Sequence, residues 1–276
     1  MSATVVLLAL SAAILHASWN AFLRSGADRL WSVTVMSISG TVIALPVLFL
    51  LPLPNASAWF YIVLSSVLQV AYSLFLVAAY RSADLGQIYP VVRGTVPLLV
   101  TLGGVAVTGD VPGPLQIGGT VLVAAGIMGL TRGRTKIAPA SLIYALLTGA
   151  IIATYATVDS IGARESGQPI AYALWVVFLY GLLLLLLFVA LRGRVAIAPG
   201  DPETWKALGG GIFAMIAYGA VVLAYTLGPA GPITALRETS VVFAVLLGWL
   251  FLGEGLTARR LAACAIVAAG AILIGR

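Results

Sequence analysis

The chain has 276 residues, 61% of them apolar and only 9% charged, and its mean hydropathy is +1.10. That composition excludes a water-soluble globular domain. A net charge of +6 and a pI near 9.7 come from basic residues scattered over loop ends, which excludes a nucleic-acid-binding patch and leaves a lipid bilayer and a small-molecule solute as the partners to expect.

Ten stretches reach the length of about 20 residues needed to cross a hydrocarbon core: 3–23, 31–52, 59–81, 87–108, 114–131, 140–163, 169–191, 205–227, 232–252 and 257–275. They lack the polar alternation of barrel strands, and a backbone in lipid must pair its amides internally, so each is expected to be an α-helix. The expected class is an all-α integral membrane protein. Nothing basic precedes Val5, and the first apolar run continues through Trp19 and Asn20 toward Phe22, so it reads as a span and not as a secretion signal. Along it His16, Trp19 and Asn20 fall at i, i+3 and i+4, a polar and aromatic stripe on one helix face. Such a face is costly against lipid and should look into the bundle or a wet cavity. His16, the only histidine, has two open roles: contact with a solute or proton carriage, and a buried interhelical hydrogen bond.

The third span carries Tyr72 and Tyr80, and the fourth carries Pro90 and Pro97 around Arg93 and Gly94 before a Gly109-Asp110 turn in which the acid is expected to be structural. Arg132, Arg134 and Lys136 then interrupt the apolar pattern ahead of Pro139. This marks residues 132–137 as a linker between two units, 1–131 and 138–276. The second unit adds Tyr155 and Trp175 in its first two spans, Tyr218 and Tyr225 in the eighth span, and a glycine- and proline-rich segment from Leu227 to Pro232 ahead of the ninth. Matching proline interruptions at the starts of spans four and nine would free backbone polar groups near a substrate site at the midplane. The other reading is that Pro232 merely opens a helix and Pro97 kinks one.

Trp31, Trp59, Trp205, Tyr80 and Tyr225 lie near span ends and are assigned to the interfacial belt. Trp19, Tyr72, Tyr155, Trp175 and Tyr218 lie deeper, placed either to line an aromatic cavity or to pack. Arg93, Arg237 and Glu238 are read as the ionisable groups nearest the span interiors. Either they cap and pair near the helix start, or Arg93 or Arg237 holds a carboxylate or phosphate ligand in its planar fork. Cys264 is a lone cysteine inside the last span and His16 has no second histidine with which to share an ion, so no disulfide, metal or cofactor is expected. No Gly-x-Ser-x-Gly elbow, His-Glu-x-x-His helix or phosphate-cradling glycine loop occurs, and an enzyme is not expected.

The two units repeat one another. At an offset of 144, Arg93 matches Arg237, Thr95 matches Thr239, Gly109-Asp110 matches Gly253-Glu254, and Ala124-Ala125-Gly126 matches Ala268-Ala269-Gly270. Five spans per unit is an odd number, so the second copy enters from the opposite side and a pseudo-two-fold axis lies in the membrane plane, an arrangement suited to alternating access. Small residues four apart, Ala125 with Gly129 and Ala265 with Ala269, are expected to bring the terminal helices of the units close to their neighbours. Eleven loop cations fall in the odd-numbered loops against two, Arg164 and Arg276, on the other side. The positive-inside rule therefore puts the odd loops in the cytoplasm and both termini outside.

The segment Gly253-Glu254-Gly255-Leu256-Thr257, followed by a last span ending in Ala269-Gly270-Ala271-Ile272-Leu273-Ile274, resembles the EamA-type permeases of the drug/metabolite transporter superfamily. Gly109-Asp110 is similar to a weaker first-half copy, from which Pro112-Gly113-Pro114 departs. The resemblance covers the whole chain and implies ten helices as two inverted five-helix repeats. It also implies a bacterial inner-membrane carrier with periplasmic termini on the charge count, exporting small metabolites, with amino acids, aromatic ones included, favoured by the candidate cavity residues. A multidrug exporter and a non-transporting membrane scaffold are the alternatives. The candidate substrate-binding residues are His16, Trp19, Asn20, Tyr72, Arg93, Tyr155, Trp175, Tyr218 and Arg237, chosen by depth and polarity and not from any family motif.

Overall fold

A computed structural model describes residues 1–24, 28–81, 85–131, 139–252 and 255–276. Among these the structure is helical throughout: α1 (Ala3–Arg24), α2 (Arg29–Leu48), α3 (Ala58–Arg81), α4 (Leu85–Gly103) continued by a π-helical turn (Gly104–Thr108), α5 (Pro114–Met128), α6 (Pro139–Glu165), α7 (Pro169–Arg192), α8 (Pro202–Tyr225), α9 (Ala230–Glu238), α10 (Ser240–Leu252) and α11 (Ala258–Gly275). Nine spans among the described residues are long and apolar enough to cross a membrane, α9 and α10 together forming one of them, and α5 is a shorter apolar helix. Local sequence sets the starts. Asp28, Asp201 and Thr257 accept amide hydrogen bonds as N-caps of α2, α8 and α11. Proline, whose missing amide costs nothing in the first turn, opens α5, α6, α7 and α8.

Pro90, Pro97 and Pro232, expected to interrupt spans four and nine, all lie within helices. α4 runs unbroken through Pro90 and Pro97, because a helix packed inside protein tolerates the carbonyl that an interior proline leaves behind. Its irregularity comes later, in the π turn, where the Thr108 hydroxyl donates to the Gly104 carbonyl at 2.7 Å and Gly109 leaves the helix at φ 69°, a left-handed conformation open to glycine. The ninth span breaks in its middle, at Thr239, and not at the prolines of its first turn. There the Thr239 amide and hydroxyl both donate to the Leu236 carbonyl, at 3.1 and 2.6 Å, tightening one turn between α9 and α10.

Helix neighbours are the same when the units are exchanged. α3 lies on α6 as α8 lies on α1, α4 on α6 as α9 and α10 on α1, and α2 on α8 as α7 on α3, while α2 with α7, α4 with α9 and α5 with α11 pair across the axis. The α5–α11 seam shows the antiparallel sense directly. A β-carbon on Gly119 would lie 2.5 Å from the Gly270 carbonyl oxygen, and one on Gly126 would lie 3.1 Å from that of Ala263. The 144-residue offset carries the second contact onto the first. Ala125, Gly129, Ala265 and Ala269, expected to make the close approach, are instead exposed. The buried edge of each helix follows a seven-residue spacing through Gly119, Gly126, Ala263 and Gly270.

Loop contacts sort by parity. On one face Arg192 pairs with Asp28, the Trp31 indole donates to the Ala196 carbonyl at 2.8 Å, and Arg259 donates to the Gly129 carbonyl at 2.8 Å. On the other, Arg164 pairs with Asp110 at 2.6 Å and donates to the Tyr225 and Gly228 carbonyls, the Asn55 amide donates to the Glu165 carbonyl at 2.9 Å, and the Met1 amine donates to the Gly275 carbonyl at 3.3 Å. Odd loops meet odd loops, and even loops and termini meet each other. α5, at 15 residues, spans only about 22 Å, yet its two ends belong to opposite faces, which makes ten crossings. Asp110 is thus tied to Arg164 in its turn, while Glu254, Tyr80's side chain and the linker fall outside the described residues.

Candidate functional site

A cavity of about 200 Å³ opens between α1, α2, α3, α4, α6, α7, α8 and α9, room for roughly six or seven waters at about 30 Å³ each. Asn20 and Val33, each about one turn from the odd-side ends of α1 and α2, line it, and so does Val221, about one turn from the even-side end of α8. Loop ties lie beyond it on both faces, from Arg164 and Asn55 on the even-loop side and from Arg192 and Arg259 on the odd-loop side.

One wall of the cavity is ionic. Arg93 on α4 and Arg237 on α9 occupy equivalent positions in the repeat, so the pseudo-two-fold axis brings two like charges together. A single acid, Glu238, joins them. Arg93 Nη1 donates to Glu238 Oε1 and Oε2 at 3.2 and 3.3 Å, and Arg237 Nη2 donates to Oε1 at 2.8 Å. Glu238 has no exposed surface, and Arg93 and Arg237 retain 4% and 8%. Arg93 Nη2 lies 2.5 Å from His16 Nε2. A guanidinium has no lone pair to offer, so the imidazole nitrogen accepts and its proton sits on Nδ1. The wall then carries two positive charges against one negative. It ends in an unsatisfied donor, since the Arg237 Nε is buried without a hydrogen-bond partner.

The remaining walls are apolar and aromatic. The His16 and Trp19 rings meet edge to face at 4.8 Å, Tyr72 and Tyr155 approach at 6.1 Å between centroids, and the Ser73 and Tyr180 hydroxyls share a hydrogen bond of 3.0 Å. Asn20 is half committed, its amide donating to the His16 carbonyl at 2.8 Å. Eight of the nine residues singled out in the sequence, His16, Trp19, Asn20, Tyr72, Arg93, Tyr155, Tyr218 and Arg237, line this cavity. Trp175 does not: its ring meets those of Trp59 and Phe178 edge to face, at 4.9 and 5.7 Å, in a cluster centred on α3 and α7. Tyr225, assigned to the interfacial belt, is buried and its hydroxyl bonds that of Thr234 at 2.8 Å.

The sequence reading overlooked Asp159. It lies inside α6 at 1% exposure, with Oδ1 accepting from the Tyr172 hydroxyl and Oδ2 from the Tyr218 hydroxyl, both at 2.9 Å. The signal was present, a lone acid within the apolar run from Tyr155 to Ala163. Gln69, which donates to Ser65 at 3.1 Å and toward Tyr218 at 3.5 Å, joins this group to the cavity. Among the described residues no cluster of three metal-binding side chains occurs.

A solved structure described only as "Crystal structure of protein" superimposes with a TM-score of 0.77 over 99% of this chain and 96% of its own, at 18% identity, a likeness of fold alone. No curated protein matches the chain. The EamA-like transporter family matches twice, over residues 3–132 and 139–276, and those two matches take in every helix that lines the cavity. With both repeats, the helical membrane architecture and a cavity between the repeats in place, the chain belongs to the EamA-like transporter family.

Proposed function

We propose that this transporter is a secondary carrier working by alternating access, and that its solutes are small amphipathic metabolites bearing a carboxylate, amino acids foremost, exported across a bacterial inner membrane. The observation that carries the substrate class is the Arg93–Glu238–Arg237 wall. It keeps a surplus positive charge and a buried, unpartnered guanidinium N–H beside the cavity. A carboxylate is the planar anion that a guanidinium fork matches, and one such group would neutralise the wall. Trp19, Tyr72, Tyr155 and Tyr218 supply the apolar surface for the rest of the solute. Eleven loop cations on the odd face support a cytoplasmic position for that face.

The test is uptake of labelled L-phenylalanine into vesicles holding the purified chain. Saturable uptake, inhibited by 3-phenylpropionate and not by phenethylamine, is expected, because the first keeps the carboxylate and the second lacks it. Uptake no greater than in protein-free vesicles, or inhibition by the amine alone, would overturn the substrate assignment.

A further inference from the structure

We propose that Asp159 is the proton-binding site of the transport cycle, with the Tyr218 hydroxyl as its connection to the cavity. The role in transport rests on the carrier reading above, whereas the protonation itself does not.

The argument begins with how each buried acid is held. Glu238 faces two guanidinium groups, which only donate, so a proton on that carboxyl would leave donors facing donors. Asp159 faces two phenols instead. A hydroxyl both donates and accepts, and its hydrogen rotates to suit. As a carboxylate, Asp159 accepts from Tyr172 and Tyr218. As a carboxylic acid it donates to one phenol oxygen and still accepts from the other. The site is satisfied in both states, which is what a group that gains and loses a proton within a membrane requires.

The surroundings agree. The titratable and charged groups facing Asp159 are Tyr172 on α7, Tyr218 and Tyr225 on α8, Arg237 on α9 and Tyr155 on α6 itself, with the Ser65 hydroxyl on α3 beside it and Tyr61 of α3 next to Tyr172. No described cation makes an ion pair with it, and both arginines are drawn to Glu238. An ionisable residue buried in a span without a counter-ion is costly and marks an ion pathway.

Its position is a crossing point. Asp159 lies six residues from the end of α6, about 9 Å below the even-loop face. Tyr218 borders the cavity, while Tyr172, in the first turn of α7 and fully buried, lies toward the even-loop face. In the loading step the Tyr218 hydroxyl passes its proton to Asp159 Oδ2 and takes one from a hydronium ion in the cavity, which is left as water. One proton moves from hydronium to carboxylate, and the phenol is restored.

The test uses the whole chain and has two readouts. Infrared difference spectra of the purified protein between acid and alkaline buffers should show a protonated-carboxyl C=O band that Asp159→Asn removes and Asp159→Glu retains at a shifted frequency. In vesicles, a pH difference of one sign should raise L-phenylalanine uptake several-fold in the wild type and in Asp159→Glu, with no enhancement in Asp159→Asn. An unchanged carboxyl band in Asp159→Asn overturns the proposal, as does wild-type uptake indifferent to pH differences of either sign, or enhancement that survives in Asp159→Asn. Absence of any L-phenylalanine uptake counts against the substrate assignment, and the infrared band then decides for Asp159.

Discussion

Two acids lie inside this membrane bundle, and their partners are opposite in kind. Glu238 is clasped by two cations at the symmetry axis, whereas Asp159 is held by two neutral hydroxyls off it. The first arrangement demands a permanent charge, because removing it strands its partners. The second tolerates either protonation state. Burial alone therefore does not tell a structural acid from a working one; the donor and acceptor character of what surrounds it does.

The largest effect expected from breaking this contrast is on Glu238→Gln. Two buried arginines would face each other with no acid between them, and stability should fall by about 3–5 kcal/mol, read as a lowered unfolding temperature of the purified protein. Next comes Arg237→Gln, which leaves Arg93 and Glu238 balanced and removes the surplus charge. Loss of a charge-assisted contact worth about 1.5–3 kcal/mol should cut L-phenylalanine uptake about tenfold or more while the protein unfolds near its usual temperature. Uptake unchanged by this variant would separate the arginine wall from solute binding. His16→Ala deprives Arg93 of an acceptor and should cost about 1 kcal/mol in the same unfolding measurement, with His16→Gln, which keeps an acceptor, costing less. Smallest is Asp159→Asn, for which the expected loss is below about 1 kcal/mol, since no cation is stranded and the amide still bonds the two phenols. A loss as large as that of Glu238→Gln would erase the distinction between the two acids.

Much of this organisation was legible in the sequence, and for physical reasons. A backbone in hydrocarbon has few options, so apolar length alone located the helices to within a few residues at most ends, and the repeat of Arg93 with Arg237 announced that like charges would meet. The polar stripe His16, Trp19 and Asn20 pointed inward because lipid would not receive it. Other features depended on partners that spacing does not reveal. Trp175 and Tyr155 look alike as deep aromatics, yet one side of the bundle gives Trp175 two aromatic neighbours away from the cavity. Pro97 reads as a breaker but sits in an intact helix, and Thr239, which carries no such signal, ends one. Ala125 and Gly129 have the spacing of a contact motif, while the seam runs one face over, through residues seven apart.

That seam has a mechanical consequence. Where Gly119 meets Gly270 and Gly126 meets Ala263, main chain approaches main chain, with Val123, Val267 and Ile274 packed at its flanks. The last helices of the two repeats are thereby fastened as an axle, and in the alternating access we propose the displacement would fall to the remaining eight spans turning around it.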